Sequence, residues 1–212
     1  MTEPVLYSFR RCPYAMRARM ALDAAEISWE HREILLRDKP EEMLAASPKG
    51  TVPVLVTPTG DVIDESLDIM EWALAQSDPE DWADEGKQDR RDVEAFLEVF
   101  KPALDRYKYA SRYDSSVPRG AVDLDQRKIA MDALIAFSQT LSKTSNLRRQ
   151  SPRLIDIASF PFVRQFAAVE PDWWASEAPK QLQQWLQGHL ESPRFKRIMK
   201  KHELWKSLRR QG

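Results

Sequence analysis

The 212-residue chain sets 32 Lys and Arg against 33 Asp and Glu, so no global field exists to hold a nucleic-acid backbone or an anionic membrane. Hydrophobic residues at 42 %, charged residues at 31 %, and 6 Gly beside 14 Pro describe a globular, helix-rich chain of one or two domains. A single Cys and three scattered His exclude an internal disulfide and give no metal-ligand spacing. The opening "MTEPVLYSF" has neither a basic nor an apolar targeting region, and no window approaches the roughly 20 apolar residues of a membrane span, so a cytoplasmic location is expected.

In chain order, "VLYSF" at 5–9 reads as a buried strand, "ISWEHREIL" at 27–35 as an alternating one and "TVPVLVT" at 51–57 as a third. "TPTGDVI" turns into a short fourth strand, punctuated by Pro58 and Gly60. Helical patterns fill 13–25, about 40–46, and 65–76, where Leu67, Met70 and Leu74 share a face. The order βαβ, α, ββα predicts a small mixed sheet with helices on its faces, occupying residues 1–76. The acidic, aperiodic "AQSDPEDWADEG" predicts a linker, taken as 77–86.

Residues 87–212 read as an all-helical second domain. Val93, Phe96, Leu97, Phe100, Leu104 and Tyr107 recur at spacings of three and four, with Pro102 as a kink. Further helices are expected over 123–143, over the nearly all-apolar 154–169, and at about 179–190 and 192–202. From Arg194 to Arg210 eight Lys or Arg face one Glu, which reads as a solvated tail or helix face.

Chemistry concentrates in "FRRCPYAMRARMAL". A solitary Cys is usually buried and inert, but Cys12 falls between a strand and a helix whose first residue is Pro13, a favoured N1 residue. There a sulfur meets unpaired N–H groups and the positive end of the helix dipole, and Arg10 and Arg11 add charge, all favouring thiolate. Pro53 inside an apolar strand marks either an edge strand or a cis Val52–Pro53 bond, which would turn the Val52 backbone toward an extended peptide-like ligand. In "DESLDIM", Glu65 and Ser66 open a helix: its N–H groups suit a carboxylate and the Glu65 side chain suits an ammonium group, with plain helix capping as the competing reading. A thiolate, an open backbone edge and partners for one α-amino and one α-carboxylate group suit a γ-glutamyl tripeptide.

On these residues the sequence resembles the cytosolic glutathione transferases, most closely the cysteine-type omega class and its bacterial relatives. "CPYA" matches that class's Cys-Pro-aromatic-Ala signature, and "LLRDKPEEMLAASPKGTVPVL" resembles its glutathione-contacting segment. The resemblance implies an N-terminal thioredoxin-like domain before a helical bundle, with Cys12 as catalytic thiol. It assigns Leu36 and Lys39 to glutathione, Val52 to backbone pairing with the cysteinyl unit, Pro53 to the cis bond, and Glu65 with Ser66 to the γ-glutamyl head. "LIDIASFPFVRQF" resembles the family's buried helix with its capping Asp, here Asp156, although Arg153 stands where that pattern has Ser or Thr and Ser151 with Pro152 offers another cap.

Glutathione is then the expected co-substrate, with no metal and a homodimeric state. With no second cysteine, a mixed disulfide at Cys12 must be released by an outside thiol, which implies thiol transfer, deglutathionylation or dehydroascorbate reduction, and weak conjugation of halogenated aromatics. A second-substrate pocket is expected between the domains, with Phe100, Tyr107 and Tyr109 as candidate wall, although the helical spacing of Tyr107 favours core. The rival reading is a binding or regulatory module of the same fold. A dithiol glutaredoxin is excluded because Ala15 stands where a resolving cysteine would be.

Overall fold

The structure, a computed structural model, describes residues 3–206, with Ser142 described by its backbone alone. The chain divides into two compact units, one built from the residues up to Ala83 with those from Glu191 onward, the other from Asp84–Leu190.

In the first unit, β1 (Val5–Ser8) pairs parallel with β2 (Glu30–Glu33) and antiparallel with β3 (Val54–Val56), and β3 pairs antiparallel with β4 (Val62–Ile63). The order β2-β1-β3-β4 is the mixed sheet the sequence predicts. Between β1 and β2 runs α1 (Pro13–Ala24); α2 (Glu41–Ala46) precedes β3, and α3 (Ser66–Gln76) follows β4. This is a thioredoxin-like arrangement.

Alternation along β1 sends Leu6 and Ser8 to one face and Tyr7 to the other. α1 packs against α3, and its Ala15, Ala18 and Ala21 are fully buried, small enough for close approach. The expected face of α3, Leu67, Met70 and Leu74, is buried together with Ile69 and Ala73. Tyr7, Ile34, Met43, Val52 and Val54 form a core cluster, with the partly buried Cys12 and Trp205 packed against it.

The linker residues 77–85 are not simply solvated. Asp78 accepts from the N–H groups of Trp82 at 2.9 Å and Ala83 at 2.8 Å, and Trp82 is buried with the Arg194 guanidinium 5.1 Å from its ring.

The second unit contains α4 (Gly86–Lys108), α5 (Leu124–Phe137), α6 (Leu154–Ala167), α7 (Pro171–Glu177) and most of α8 (Lys180–Glu191). Helix α4 continues through Pro102 and packs against α5 and α6. Helix α5 starts at the Asp123 cap, whose side chain accepts from Gln126 N–H at 3.1 Å. It ends well short of residue 143, and a 3₁₀ turn covers Gln139–Ser142. Helix α6 is buried on nearly every face. Its first turn is held by Asp156, whose carboxylate accepts from the N–H groups of Arg153 at 3.0 Å and Leu147 at 2.8 Å and from Trp185 Nε1 at 2.8 Å. Arg153 itself is the N-cap, and its guanidinium meets Asp89 and Asp84. The two-turn α7 escapes the sequence reading, although Pro171 at its first position is a usable signal.

One domain boundary needs correction. The segment assigned by sequence to the helical half, 87–212, instead divides: from Glu191 onward it packs with the first unit. Helix α9 (Pro193–Ile198) lies on α1, burying Phe195 and Ile198, and Arg194 and Arg197 pair with Asp23. Beyond it, Leu204 forms a parallel bridge with Glu33, and Trp205 N–H donates to Glu33 O at 2.8 Å. His202 stacks on His31 with centroids 3.9 Å apart. The basic composition therefore conceals an extended strap along the β2 edge; residues 207–210 of the basic stretch lie outside the described residues.

Candidate active site

The β1–α1 turn positions the cysteine. Cys12 N–H donates to Phe9 O at 3.0 Å, Cys12 O accepts from Met16 N–H at 2.9 Å, and Cys12 is the N-cap of α1 with Pro13 next. Its Sγ sits half-buried, 3.6 Å from the carbonyl of Val52, and the Val52–Pro53 bond is cis. Of the two readings of Pro53 the sequence left open, the structure contains the cis bond.

The electrostatics correct one expectation. Burial pushes the Cys12 thiol above its ordinary value, outweighing the N–H groups of Ala15 and Tyr14 and the charges of Arg19 and Arg17, which all pull it down. The helix tip does favour thiolate, yet the half-buried sulfur loses more hydration than the tip returns.

Helix α3 provides the opposite wall. Glu65 is its N-cap, exposed and making no side-chain cap bond. Ser66 is buried, and its Oγ accepts from Arg17 Nε at 3.0 Å, so the Ser66 O–H proton remains for another acceptor. Asp64 accepts from Ser47 Oγ at 2.7 Å, and Lys49 Nζ bonds Glu65.

These elements enclose a cleft of about 540 Å³, within the range that holds small ligands. The seven residues assigned to catalysis and glutathione, Cys12, Leu36, Lys39, Val52, Pro53, Glu65 and Ser66, all line it. Sequence reasoning missed Tyr14, Lys49, Gly50, Thr51 and Asp64 on the same walls. Gly50 carries a recoverable signal, a glycine opening an apolar strand; its φ is +64°, and a Cβ there would stand 3.3 Å from Lys39 Nζ. Lys49 carries none, since a lysine in a polar turn looks solvated.

The proposed second-substrate wall fares differently. Phe100 and Tyr107 are fully buried in the helical unit. Both pack on Phe166, at 5.5 and 5.4 Å between centroids, and Tyr107 donates to Glu170 at 2.7 Å. They are core residues rather than pocket walls, because the i, i+7 spacing that aligns them faces the bundle interior. Tyr109, the residue after α4, is half-buried beneath the guanidinium of Arg112, 4.0 Å from its ring. Among the described residues no cluster of His, Cys, Asp and Glu suits a metal, and no helix is long and apolar enough to cross a membrane.

Residues 6–82 match the family "Glutathione S-transferase, N-terminal domain". The chain is 28 % identical over 195 residues to glutathione S-transferase omega-1 of Mus musculus, covering 89 % of this chain and 77 % of that protein. It is 44 % identical over 70 residues to pyrimidodiazepine synthase of Drosophila melanogaster, a match covering 32 % of this chain and 29 % of that one. The crystal structure of glutathione transferase Omega 3C from Trametes versicolor superposes with a TM-score of 0.77 at 18 % identity, covering 96 % of this chain and 92 % of that one. Residues 6–82 thus match the glutathione S-transferase N-terminal domain, and the chain as a whole is similar in sequence to omega-1 glutathione S-transferase and shares the fold of a solved omega glutathione transferase.

Proposed function

We propose that the protein is an omega-like, cysteine-type glutathione transferase acting as a thiol transferase or reductase. The observation that carries this reading is the half-buried Cys12 sulfur at the α1 N-cap, 3.6 Å from Val52 O, in a cleft that also contains Glu65 and Ser66.

Glutathione lies with its cysteinyl backbone along Val52, its γ-glutamyl head at Glu65 and Ser66, and its glycyl carboxylate toward Lys39. The Cys12 thiolate attacks the glutathionyl sulfur of a mixed disulfide. A Cys12–glutathione disulfide forms, the original S–S bond breaks, and the acceptor leaves as thiolate and takes a proton. A second glutathione thiolate then attacks the mixed disulfide on its glutathionyl sulfur, releasing oxidised glutathione and restoring Cys12. One glutathione thiol is thereby consumed for each mixed disulfide reduced, the other half of the oxidised glutathione coming from the substrate.

Because burial holds the thiol above its ordinary value in the open cleft, ligand binding must compensate for some of that penalty, and the amides of Tyr14 and Ala15 are already in place to receive the charge. The protein acts in the cytoplasm as a homodimer, with a small disulfide, glutathionylated partner or electrophile as second substrate.

The test is thiol-transferase activity against a glutathione mixed disulfide, with Cys12→Ser as comparison. Loss of activity by at least about 10²-fold supports a nucleophilic role. Full activity in Cys12→Ser overturns it.

A further inference from the structure

Arg19 lies about two turns beyond Cys12 in α1 and is 1 % exposed. Side chains of a helix lean toward its N-terminus, so the guanidinium reaches back to the turn that carries the sulfur. There Nη1 donates to Ser8 Oγ, Nη2 to Arg10 O at 2.8 Å and to Met199 Sδ at 3.8 Å, and Nε to Ile198 O at 3.1 Å. Every one of these acceptors is uncharged. Among the described residues no carboxylate bonds this guanidinium, whereas Arg32, Arg153 and Arg194 each meet an Asp or Glu directly.

A fully buried cation is ordinarily paired with an anion, because an unpaired charge out of water is costly. Glu33 attracts Arg19 without bonding it, since its carboxylate oxygens take Arg10 N–H at 2.7 Å and His31 Nε2 at 3.0 Å. The second source of negative charge is Cys12 itself. Burial is the larger influence on both groups and works against charge on each, while Arg19 and an ionised Cys12 each favour the charged form of the other. The backbone holds them in this relation. Both main-chain groups of Arg10, two residues before Cys12, are taken by buried side chains: its N–H by Glu33 and its carbonyl by Arg19.

We infer that Arg19 is a positioning residue for Cys12, fixing the turn through the Arg10 carbonyl and standing as the buried counter-charge that the thiolate completes. This rests on the proposed role of Cys12 as nucleophile and adds no contact to glutathione. The charge is in place before any ligand arrives, and the Ile198 carbonyl keeps the guanidinium aimed at the turn. The other charged groups are accounted for. Arg17, the second cation that favours the thiolate, bonds Ser66; Lys39, Lys49, Asp64 and Glu65 line the cleft; Arg10, Glu33 and His202 surround Arg19; on α9, Arg194 and Arg197 pair with Asp23.

The experiment is the rate of Cys12 alkylation by iodoacetamide as a function of pH, on the full chain without glutathione. Arg19→Met is expected to move the profile up by about one pH unit, making the reaction about tenfold slower at pH 7, and Arg19→Lys to keep most of the native rate. An Arg19→Met protein with native circular dichroism and an unmoved profile overturns the assignment. Should Arg19→Met fail to fold, the ¹⁵N resonance of Arg19 Nε in the unmodified chain decides. It is expected to shift over the pH interval in which alkylation accelerates and to stay constant there in Cys12→Ser; a signal indifferent to Cys12 overturns the assignment. Alkylation needs no glutathione, so these outcomes are distinct from failure of Cys12 to form a glutathione disulfide, which overturns the proposed function and with it any part for Arg19 in the reaction.

Discussion

The Arg19 guanidinium donates through Nε to the carbonyl of Ile198 at 3.1 Å, a contact that spans 179 residues of chain. The same guanidinium bonds Ser8 Oγ and donates through Nη2 to Arg10 O at 2.8 Å, tying the C-terminal strap to the turn that presents Cys12. It is almost fully buried, and burial lowers it to about 10, so it remains charged at neutral pH.

Arg19→Ala removes donors from three acceptors at once and should destabilise the protein by about 3 kcal/mol. Trp205→Ala removes an indole that meets Tyr7 edge-on at 5.9 Å and lies 4.4 Å from the Arg32 guanidinium. Being half-buried, it should be worth about 2 kcal/mol. Equilibrium urea unfolding measures both. If the strap contributes nothing, the Trp205→Ala midpoint will not move.

Gly50→Ala places a side chain at φ +64° and a Cβ 3.3 Å from both Leu44 Cδ2 and Lys39 Nζ. The backbone strain alone costs about 1–2 kcal/mol, and displacement of Lys39 should weaken glutathione binding several-fold. Calorimetric titration beside thermal unfolding separates the two effects. Unchanged affinity would place Lys39 outside the ligand's reach.

Asp156 and His189 predict opposing pH dependences within the helical unit. Burial pushes Asp156 from 3.8 up to about 6, so the folded state holds this proton more tightly. Its stabilising contribution is full below pH 3.8 and is lost as pH rises through about 6. Burial pushes His189 from 6.5 down to about 4, so its contribution is full above pH 6.5 and is lost as pH falls through about 4. Across that interval the two largely offset each other. In His189→Gln only the Asp156 slope remains, so the stability deficit of the variant should shrink by about 1–3 kcal/mol as pH falls from 6.5 to 4. Chemical denaturation at several pH values reads this directly, and a constant deficit would mean that His189 titrates normally.

Much of the cleft was legible because its residues break local rules. A proline inside an apolar strand and a cysteine directly before an N1 proline each conflict with the ordinary use of their position, and both line the cleft. Lys49 breaks no rule, since a lysine in a turn satisfies solvation whether or not it also faces a ligand. The strap was hidden for a different reason. Its pairing with Glu33 joins residues 171 apart in sequence, and no local period or cap records so distant a partner. Phe100 misleads because aromatic residues at helical spacing read alike whether the stripe faces a pocket or a core, and only packing on Phe166 decides; Tyr107, whose spacing already favours core, packs there too.

The central claim is that Cys12 is a reachable nucleophile for glutathionyl sulfur. Intact-protein mass spectrometry after incubation with oxidised glutathione examines it most directly. One glutathionyl adduct should form, disappear on addition of reduced glutathione, and be absent from Cys12→Ser. A chain that stays unmodified while still binding glutathione would contradict the catalytic account and leave a binding module in its place.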